Sequence, residues 1–504
     1  MELPEMEQQP LAWKKWSKRF GLIFALPIFF VLAILLWAGF RVATHSQVDD
    51  DIHLEAKTEY LKSIAASQSA SVGNQTDDRP NIIFILYDDL GYGDLGFTGS
   101  SAIQTPAIDS LASNGVVLTN FYSPSPICSP SRAGFMTGRH APRAGLPNVV
   151  FPTGSSKSLL NLLNDEPIRL PAEEITVADM LQAVGYSTGM IGKWHMGDTE
   201  PSLPQNFGFD QYFGALYSND MEPFALYRNK EIAVKAPVDQ TKLDEIYTRE
   251  AVDFIKDQSG QKKPFFLYFA HNFPHIPLYV SSERAGRSNA GLYGDVVETL
   301  DSGVAKIVAA LKEQDMLDNT IIILSSDNGP WYEGSSGFSR GRKGQTWDGG
   351  MHVPFLMHWP AGLEGGREVD GISMGMDLLP TLADLLDIPL PTDRFIDGKS
   401  ILAMIENGVE TPHEELYYFA NEKLMAVRDS KFKYLAERTH LYQPNDGGIG
   451  LPVKHGPWLI DMSRDPDESY NVSGRYPDQT KMMREKLAAK RSEMESNKRG
   501  WIEK

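Results

Sequence analysis

Strand-length runs of apolar residues recur through the middle of the chain. The first run, Asn81–Tyr87, is rich in β-branched residues and ends at two aspartates. Similar runs follow at Phe265–Phe269, Thr320–Leu324 and Pro354–His358. Continuous apolar runs of this length are typical of strands that are buried on both faces. Segments of helix length separate them, with helices predicted near Pro106–Asn114 and Thr176–Val184. This alternation predicts an α/β sheet that is covered by helices on both faces.

The pattern changes after about Glu410, where the predicted elements become shorter. Leu416–Phe419 and Phe432–Leu435 have the length of short strands, and a charged helix is predicted near Gln479–Ser492. A chain of 504 residues is also too long for one small core. We therefore predict a catalytic domain over residues 80–409 and a smaller C-terminal α+β subdomain over residues 410–504.

The N-terminal region contains an uncharged apolar run from Phe20 to Phe40. About twenty apolar residues match the hydrocarbon thickness of a bilayer. Basic residues precede the run and Asp49–Asp51 lie beyond it, which favours export of the bulk of the chain. The pattern predicts a cytoplasmic segment at 1–19, a transmembrane signal-anchor at 20–40 and a linker at 41–79. A cleaved signal peptide, which would give a secreted protein, is the alternative. Either way the catalytic domain is expected outside the cytoplasm, in a periplasmic, lumenal or extracellular space.

Charge and cysteine content exclude several classes of function. The formal net charge is −18, and phosphate-backbone binding needs a basic surface, so no nucleic-acid partner is expected. An anionic substrate must instead be held by locally concentrated cations. The chain has one cysteine, which excludes internal disulfides and multi-cysteine metal sites.

Oxygen-bearing residues follow two of the predicted buried strands. Asp88 and Asp89 come after the first strand, and Asp327 and Asn328 come after the strand at Thr320–Leu324. Open α/β sheets bind ligands at the carboxyl ends of their strands. Three carboxylates and an amide oxygen at that edge would suit Ca²⁺ or Mg²⁺ better than zinc. Taken alone, each pair also fits a strand-end turn or a helix N-cap.

The single cysteine lies in the stretch from Ser125 to Arg139. Pro130 suits the first position of a helix, which would place Cys128 at or just before a helix N-terminus. The helix dipole there favours negative charge, and a thiol at such a position is expected to be easily activated. Arg132 would lie about one turn further on. The spacing predicts a nucleophile next to a cation.

This stretch resembles the signature of the formylglycine-dependent (type I) sulfatases. Their motif, Cys-x-Pro-Ser-Arg followed by Ala and Thr-Gly-Arg, is matched throughout Cys128–Arg139. The other ordered motifs of the family resemble segments of this chain at Ile85–Asp94, Gly192–His195, Pro274–His275, Ser326–Gly329 and Gly341–Gly344. The resemblance extends from about Pro80 into the C-terminal subdomain, and the arylsulfatase A and N-acetylgalactosamine-6-sulfatase branch is the most similar. It implies an alkaline-phosphatase-like fold with a large mixed β-sheet flanked by helices.

The resemblance also implies a role for each matching residue. A separate sulfatase-maturing enzyme would oxidise Cys128 to formylglycine, whose hydrate offers one hydroxyl to attack sulfur. His195 would take the proton from the second hydroxyl, and Arg132 would supply fixed positive charge. A calcium ion, or Mg²⁺ in its place, would be held by Asp88, Asp89, Asp327, Asn328 and the modified residue 128. Sulfate would be bound by Lys193, Ser218, His275 and Lys343, of which His275 and Lys343 also help to protonate the departing alcohol oxygen.

These roles agree with the chemistry of sulfate-ester cleavage. Charge builds on the departing oxygen, so fixed cations that are aimed there lower the barrier. A general base with a pKa near the working pH is needed to eliminate sulfate, and histidine is the usual choice. Judged singly, Lys193 and Lys343 also fit solvated surface cations, and His195 fits a packed loop histidine.

The sequence therefore predicts a sulfuric ester hydrolase that acts on aryl, steroid or carbohydrate sulfates. A phosphonate or phosphate monoester hydrolase of the same fold is the nearest alternative, although no second-metal cluster is visible in the sequence. A membrane-anchored phosphoethanolamine transferase and a non-catalytic binding protein are more distant alternatives. Neither the identity of the substrate nor the oligomeric state can be read from the sequence.

Overall fold

A computed structural model describes residues 32–34, 36–41, 49–71, 78–261, 263–436, 438–442 and 451–503. Within this part of the chain, the α-helices from α1 to α11 are Asp51–Ser71, Pro106–Ser113, Cys128–Thr137, Ser156–Leu163, Val177–Ala183, Leu243–Gln258, Gly291–Glu313, Asp348–Met351, Leu378–Leu385, Leu402–Asn407 and Pro477–Ser496. The β-strands from β1 to β9 are Asn81–Tyr87, Val116–Leu118, Phe121–Tyr122, Ser187–Gly192, Gln211–Gly214, Leu226–Arg228, Glu231–Val234, Phe265–Ala270 and Thr320–Ser326. The strands from β10 to β18 are Phe355–His358, Arg367–Val369, Ser373–Met374, Leu416–Ala420, Lys423–Arg428, Phe432–Leu435, Arg438–Tyr442, Leu451–His455 and Trp458–Asp461.

The main sheet has ten described strands in the order β11-β2-β10-β9-β1-β8-β4-β5-β6-β7. Its centre is parallel: β1 pairs with both β8 and β9, and β4 pairs with β8. Antiparallel pairs, such as β10 with β9, flank this centre, so the sheet is mixed. The strand-length apolar runs correctly predicted β1, β8, β9 and β10.

Both faces of the central strands are buried because successive side chains of a strand point to opposite faces. Ile82, Phe84 and Leu86 of β1 contribute to one hydrophobic core, while Ile83 and Ile85 contribute to the other. The first core is covered by helices that include α3, α5 and α9, and the second by helices that include α2, α6 and α7. The predicted α/β architecture is confirmed.

A smaller antiparallel sheet forms the C-terminal part of the described chain, in the order β13-β14-β15-β18. Helix α11 packs on it through Met483 and Leu487. A buried ion-pair group links this sheet to helix α8: Asp348 contacts Lys433 at 2.6 Å and Arg428 at 3.1 Å. The predicted C-terminal α+β unit is present, while its exact boundary at residue 410 stays a prediction.

The segment after the predicted signal-anchor contains more structure than the expected linker. Helix α1 lies within residues 41–79 and packs on α5. Lys57 is buried in this contact, where its ammonium donates to the Glu174 carbonyl at 2.7 Å and to Asp179 at 2.9 Å. The sequence predicted a linker here, but this part of the segment is a docked helix.

The predicted signal-anchor at 20–40 lies mostly outside the described residues, as do the predicted cytoplasmic segment at 1–19 and residues 42–48. In the described part of the chain, every helix is too short or too polar to cross a membrane. The signal-anchor stays a prediction.

Candidate active site

Two acidic pairs meet where neighbouring parallel strands end. Asp88 and Asp89 follow β1, and Asp327 and Asn328 follow β9, so the pairing of β1 with β9 brings them to one edge of the sheet. Asp89 has a left-handed backbone, with φ of 64°, which turns the chain sharply after the strand. All four side chains are buried. The predicted convergence of these residues is therefore observed.

Helix α3 carries Cys128 into this cluster. Cys128 is the first residue of the helix and Pro130 is the third, still within the first turn, where backbone N–H groups have no partner in the helix. The Cys128 sulfur lies 3.2 Å from Asp88 Oδ1 and 3.9 Å from Asp89 Oδ1. Ligand atoms of Cys128 and the carboxylates of Asp88, Asp89 and Asp327 all lie within 4.8 Å of one another.

The unmodified thiol is not activated by this position, contrary to the expectation from the sequence. Burial raises the pKa of the Cys128 thiol well above its usual range, and the negative charge of Asp88 adds to the effect. The nearby ammonium groups of Lys193 and Lys343 are too weak to reverse it. A thiolate is therefore disfavoured, so the cysteine itself is a poor nucleophile in this site.

Three cations surround the carboxylates. Arg132 donates from Nε to Asp327 Oδ2 at 2.9 Å, and its other nitrogens contact the Lys193 carbonyl and Asp88. Lys193 forms a short ion pair with Asp88. Lys343 Nζ lies 2.7 Å from Asp89 Oδ1 and 3.2 Å from the Cys128 sulfur. Neither lysine is a solvated surface cation, and the expected local concentration of positive charge is present.

His275, with Ser218 beside it, approaches Asp89, the carboxylate that Lys343 also contacts. His275 Nε2 is 3.8 Å from Asp89 Oδ2, and its Nδ1 is 3.4 Å from the Ser218 hydroxyl oxygen. Burial lowers the pKa of His275, although Asp89 opposes the shift. Both predicted sulfate-binding residues therefore border the cluster.

His195 follows β4 and has a left-handed backbone with φ of 60°. Its Nε2 lies 3.1 Å from the Val150 carbonyl oxygen, while Nδ1 is buried without a hydrogen-bond partner among the described residues. Burial lowers the pKa of His195 well below its usual range, and the charges of Lys193 and Arg132 lower it further. The imidazole is neutral at pH 7, rather than poised near that pH as the sequence suggested.

The residues around Asp88 fit a divalent cation. Asn328 Oδ1 is buried and has no hydrogen-bond partner among the described groups, although its Nδ2 donates to Asp89 Oδ1 at 2.7 Å. Burial, and next the charge of Asp88, raises the pKa of Asp327 to about 7. Burial would also raise the pKa of Asp88, but Lys193, His275 and Arg132 hold it well below its usual range. Carboxylates crowded in this way lower their mutual repulsion when they share a cation.

The sequence did not reveal two supporting contacts. The Val150 carbonyl oxygen accepts from His195, and the Ser131 hydroxyl makes a short hydrogen bond to the Asp327 carbonyl. Ser131 belongs to the Cys-x-Pro-Ser-Arg motif, so the motif could have indicated a supporting role for this residue. Val150 acts through its backbone, so its side-chain type carries no signal.

Comparison with known proteins agrees with this geometry. The family model described as "Sulfatase" matches residues 80–388, and the model described as "N-sulphoglucosamine sulphohydrolase, C-terminal" matches residues 342–495. The large mixed sheet, together with the smaller C-terminal antiparallel sheet, is an alkaline-phosphatase-like fold, and the protein is a sulfuric ester hydrolase. The chain belongs to the sulfatase family, in the branch that resembles arylsulfatase A and N-acetylgalactosamine-6-sulfatase.

The alignments with named relatives cover most of this chain and most of each relative. Human arylsulfatase A is 33% identical over 78% of this chain and 83% of its own. N-acetylgalactosamine-6-sulfatase of Canis lupus familiaris is 34% identical over 70% of this chain and 71% of its own. The crystal structure of a sulfatase from Pseudoalteromonas sp. superposes with a TM-score of 0.75 and 27% identity, covering 86% of this chain and 94% of that one. These matches favour sulfate-ester hydrolysis over the phosphonate or phosphate alternative.

Proposed function

We propose that this sulfatase uses formylglycine, made from Cys128, together with a calcium ion. The observation that carries the proposal is the position of the Cys128 sulfur, 3.2 Å from both Asp88 Oδ1 and Lys343 Nζ. A side chain there lies between the carboxylates and the lysine. The raised pKa of the thiol disfavours a mechanism in which the unmodified cysteine attacks sulfur.

The ion would be held by Asp88, Asp89, Asp327 and Asn328, with residue 128 completing the set. Oxygen donors favour Ca²⁺, with Mg²⁺ as the alternative, over softer ions. When bound, the ion and the formylglycine supply a hydroxyl nucleophile near neutral pH and positive charge beside the sulfate. Arg132 keeps Asp327 in place through two contacts of 2.9 Å.

The surrounding cations would bind the sulfate group. Lys193 and Lys343 are fixed by their ion pairs with Asp88 and Asp89, so little reorganisation is needed when charge builds on the sulfate oxygens. Ser218 and His275 border the same space and would bind sulfate oxygens or the departing alcohol oxygen. Lys343 would deliver the proton to that oxygen, assisted by His275 when its imidazole is protonated.

His195 would act as the general base that releases sulfate. Its Nε2 faces a carbonyl oxygen, which can only accept, so Nε2 carries the hydrogen and Nδ1 is free to take a proton. The lowered pKa keeps the imidazole in the neutral form that a base requires.

We also propose a class of substrate and a location for the enzyme. Aryl, steroid and carbohydrate sulfates all fit an enzyme with relatives named arylsulfatase, steryl-sulfatase and N-acetylgalactosamine-6-sulfatase. A separate maturing enzyme would modify Cys128, and the apolar segment at 20–40 would anchor the catalytic domain outside the cytoplasm.

Replacement of Cys128 tests the nucleophile. Because Cys128 is the only cysteine, loss of free thiol and the mass of its tryptic peptide report on this residue alone. We expect formylglycine in wild type and loss of aryl sulfate hydrolysis in Cys128→Ala. Ser123→Ala is the matched control. Circular dichroism of both variants shows whether a loss of activity comes from removal of the nucleophile or from loss of the fold. Activity of folded Cys128→Ala at the wild-type rate would exclude the proposal.

Replacement of Asn328 tests the ion. Removal of one ligand should weaken Ca²⁺ binding by at least roughly tenfold. Titration calorimetry on protein treated with EDTA should show this loss in Asn328→Ala but not in the exposed control Asn114→Ala. Equal Ca²⁺ affinities for these two variants would remove Asn328 from the ligand set.

A further inference from the structure

The backbone around His195 is fixed on several sides. Trp194 N donates to the Ala215 carbonyl at 3.0 Å, and His195 N donates to the Leu216 carbonyl at 2.9 Å. The Trp194 side chain is fully buried, and its ring N–H donates to the Ser202 carbonyl at 2.8 Å. This part of the loop cannot move without breaking those contacts. The imidazole, by contrast, can still rotate unless its ring atoms are held.

One contact holds the imidazole ring in a defined tautomer. The Val150 carbonyl oxygen, 3.1 Å from Nε2, requires a hydrogen on that nitrogen. Nδ1 then has a free lone pair. Val150 also reaches the residue after the nucleophile, because its N–H donates to the Ser129 hydroxyl at 3.3 Å. The backbone of Val150 thus connects His195 to the start of α3.

The segment that carries Val150 is itself held at its far end. Asp198 lies three residues after His195, and Thr153 lies three residues after Val150. The Asp198 carboxylate accepts from Thr153 N at 2.9 Å and from the Thr153 hydroxyl at 2.5 Å. The two segments, Val150–Thr153 and His195–Asp198, are therefore joined at both ends. Other contacts hold the segment of Val150 as well: Asn161 Nδ2 donates to the Val149 carbonyl at 3.1 Å and Ser155 N to the Pro152 carbonyl at 3.0 Å, but neither joins it to the segment of His195.

We propose that Asp198 is a positioning residue for His195: it fixes Thr153, and through it the Val150 carbonyl, so that His195 keeps its hydrogen on Nε2 and its acceptor on Nδ1. The inference rests on the proposed role of His195 as general base. Asp198 touches no reacting atom. Its effect would pass along the short segment Val150–Thr153, in which only Phe151 and Pro152 separate the two residues.

The test compares Asp198→Ala and Thr153→Val with the matched control Asp210→Ala. Asp210 also accepts a threonine backbone N–H, from Thr188 at 3.0 Å, but it lies at the opposite end of β4 from His195. Proton-detected ¹⁵N spectra of histidine-labelled full-length protein report the tautomer, and the His195→Gln variant identifies the signal of His195. Steady-state kinetics with an aryl sulfate give kcat and KM for the same proteins.

We expect wild type and Asp210→Ala to show one tautomer, with the hydrogen on Nε2. Asp198→Ala should show a mixture of the two tautomers. Its kcat should be lower by roughly 10- to 100-fold, which is the effect of a small misplacement of a catalytic group, and its KM should be unchanged. Thr153→Val keeps the backbone bond to Asp198, so it should show a smaller effect of the same kind and serves if Asp198→Ala fails to fold. A single unchanged tautomer in the folded variants, or a mixed tautomer with wild-type kcat, would overturn the inference. Full activity in His195→Gln would instead refute the proposed base, and the tautomer measurement would still decide the role of Asp198.

Discussion

His140 is a buried titratable residue that the proposed chemistry does not use. Its ring lies 4.6 Å from the ring of Phe419, at the contact between the main sheet region and the C-terminal sheet. Burial lowers the pKa of His140 to about 3, and the pull of Asp397 is too weak to prevent it. Lys490 and Arg143 lower this pKa further, while Glu493 opposes them. The folded protein therefore keeps this histidine neutral in mild acid.

We expect His140 to make the protein sensitive to acid. In the unfolded chain its pKa is about 6.5, so between about pH 3 and 6.5 the unfolded state binds one more proton than the folded state. The free energy of unfolding is therefore lost as the pH falls through this window, by about 1.4 kcal/mol per pH unit from this residue. His140→Gln should remove this part of the slope between pH 6.5 and 5, measured by urea unfolding. The slopes of both proteins should coincide from pH 7 to 8, and equal slopes in the acid window would contradict the prediction.

At the scale of single residues, the sequence predicted what motif spacing encodes. Asp88, Cys128 and Lys343 lie far apart in the chain but meet as expected: Asp88 follows β1, Cys128 begins α3, and Lys343 lies in the loop between β9 and α8. The state of these groups was not predictable, since it depends on burial. Burial raises the pKa of the Cys128 thiol, whereas the sequence predicted an activated thiol. Burial lowers the pKa of the His195 imidazole, whereas the sequence predicted a value near the working pH.

Elements with a strong apolar pattern were predicted better than elements held by tertiary contacts. The buried strands β1, β8 and β9 have continuous apolar sequences, whereas the edge strand β7, Glu231–Val234, is largely exposed and has no such run. Helix α1 has almost no amphipathic pattern, so the sequence predicted a linker in its place. Its position depends on Lys57 and on Tyr60, whose hydroxyl donates to the Pro389 carbonyl at 2.9 Å. Such contacts cannot be foreseen without the fold.

The buried lysine of α1 gives a prediction for this element. Lys57→Met removes one partner of a buried ion pair, which typically costs about 3–5 kcal/mol, and leaves Asp179 bonded only to Thr176. We expect a lower free energy of unfolding in urea and faster proteolytic cleavage within Asp51–Ser71. Lys62→Met is the control, because Lys62 is exposed on the same helix. Equal cleavage rates for the two variants would mean that Lys57 does not hold α1 in place.

At the scale of the whole molecule, the net charge does not describe the charges at the active site. The net charge is −18, yet Arg132, Lys193 and Lys343 are all directed into one buried cluster. The acidic excess lies elsewhere, so the composition alone could not show the sign of the potential at the site. The sequence excluded nucleic acid on this ground and predicted a local concentration of cations, and the structure shows which carboxylates these cations contact.

The C-terminal residues connect three distant parts of the described chain. The ring of Trp501 stacks on His53 of α1 at 3.8 Å, and the guanidinium groups of Arg139 and Arg394 lie 4.7 and 5.0 Å from its centre. Arg139 follows α3, so the contact reaches the helix that begins with Cys128. Arg499 reinforces it through an ion pair with Glu174 at 2.7 Å.

Trp501→Ala should therefore destabilise more than the tail itself. Loss of a large buried aromatic side chain costs about 3–5 kcal/mol, and the half-buried position of Trp501 places the expected loss near the lower limit. Because His53 loses its stacking partner, α1 should also become easier to cleave, which a local effect on the last residues would not produce. Ile502→Ala is the control, since the neighbouring Ile502 is exposed and makes no aromatic contact in the described structure. Urea unfolding and limited proteolysis are measured on both variants. If Trp501→Ala lowers the free energy of unfolding but leaves cleavage within α1 unchanged, Trp501 does not couple the C-terminal residues to α1.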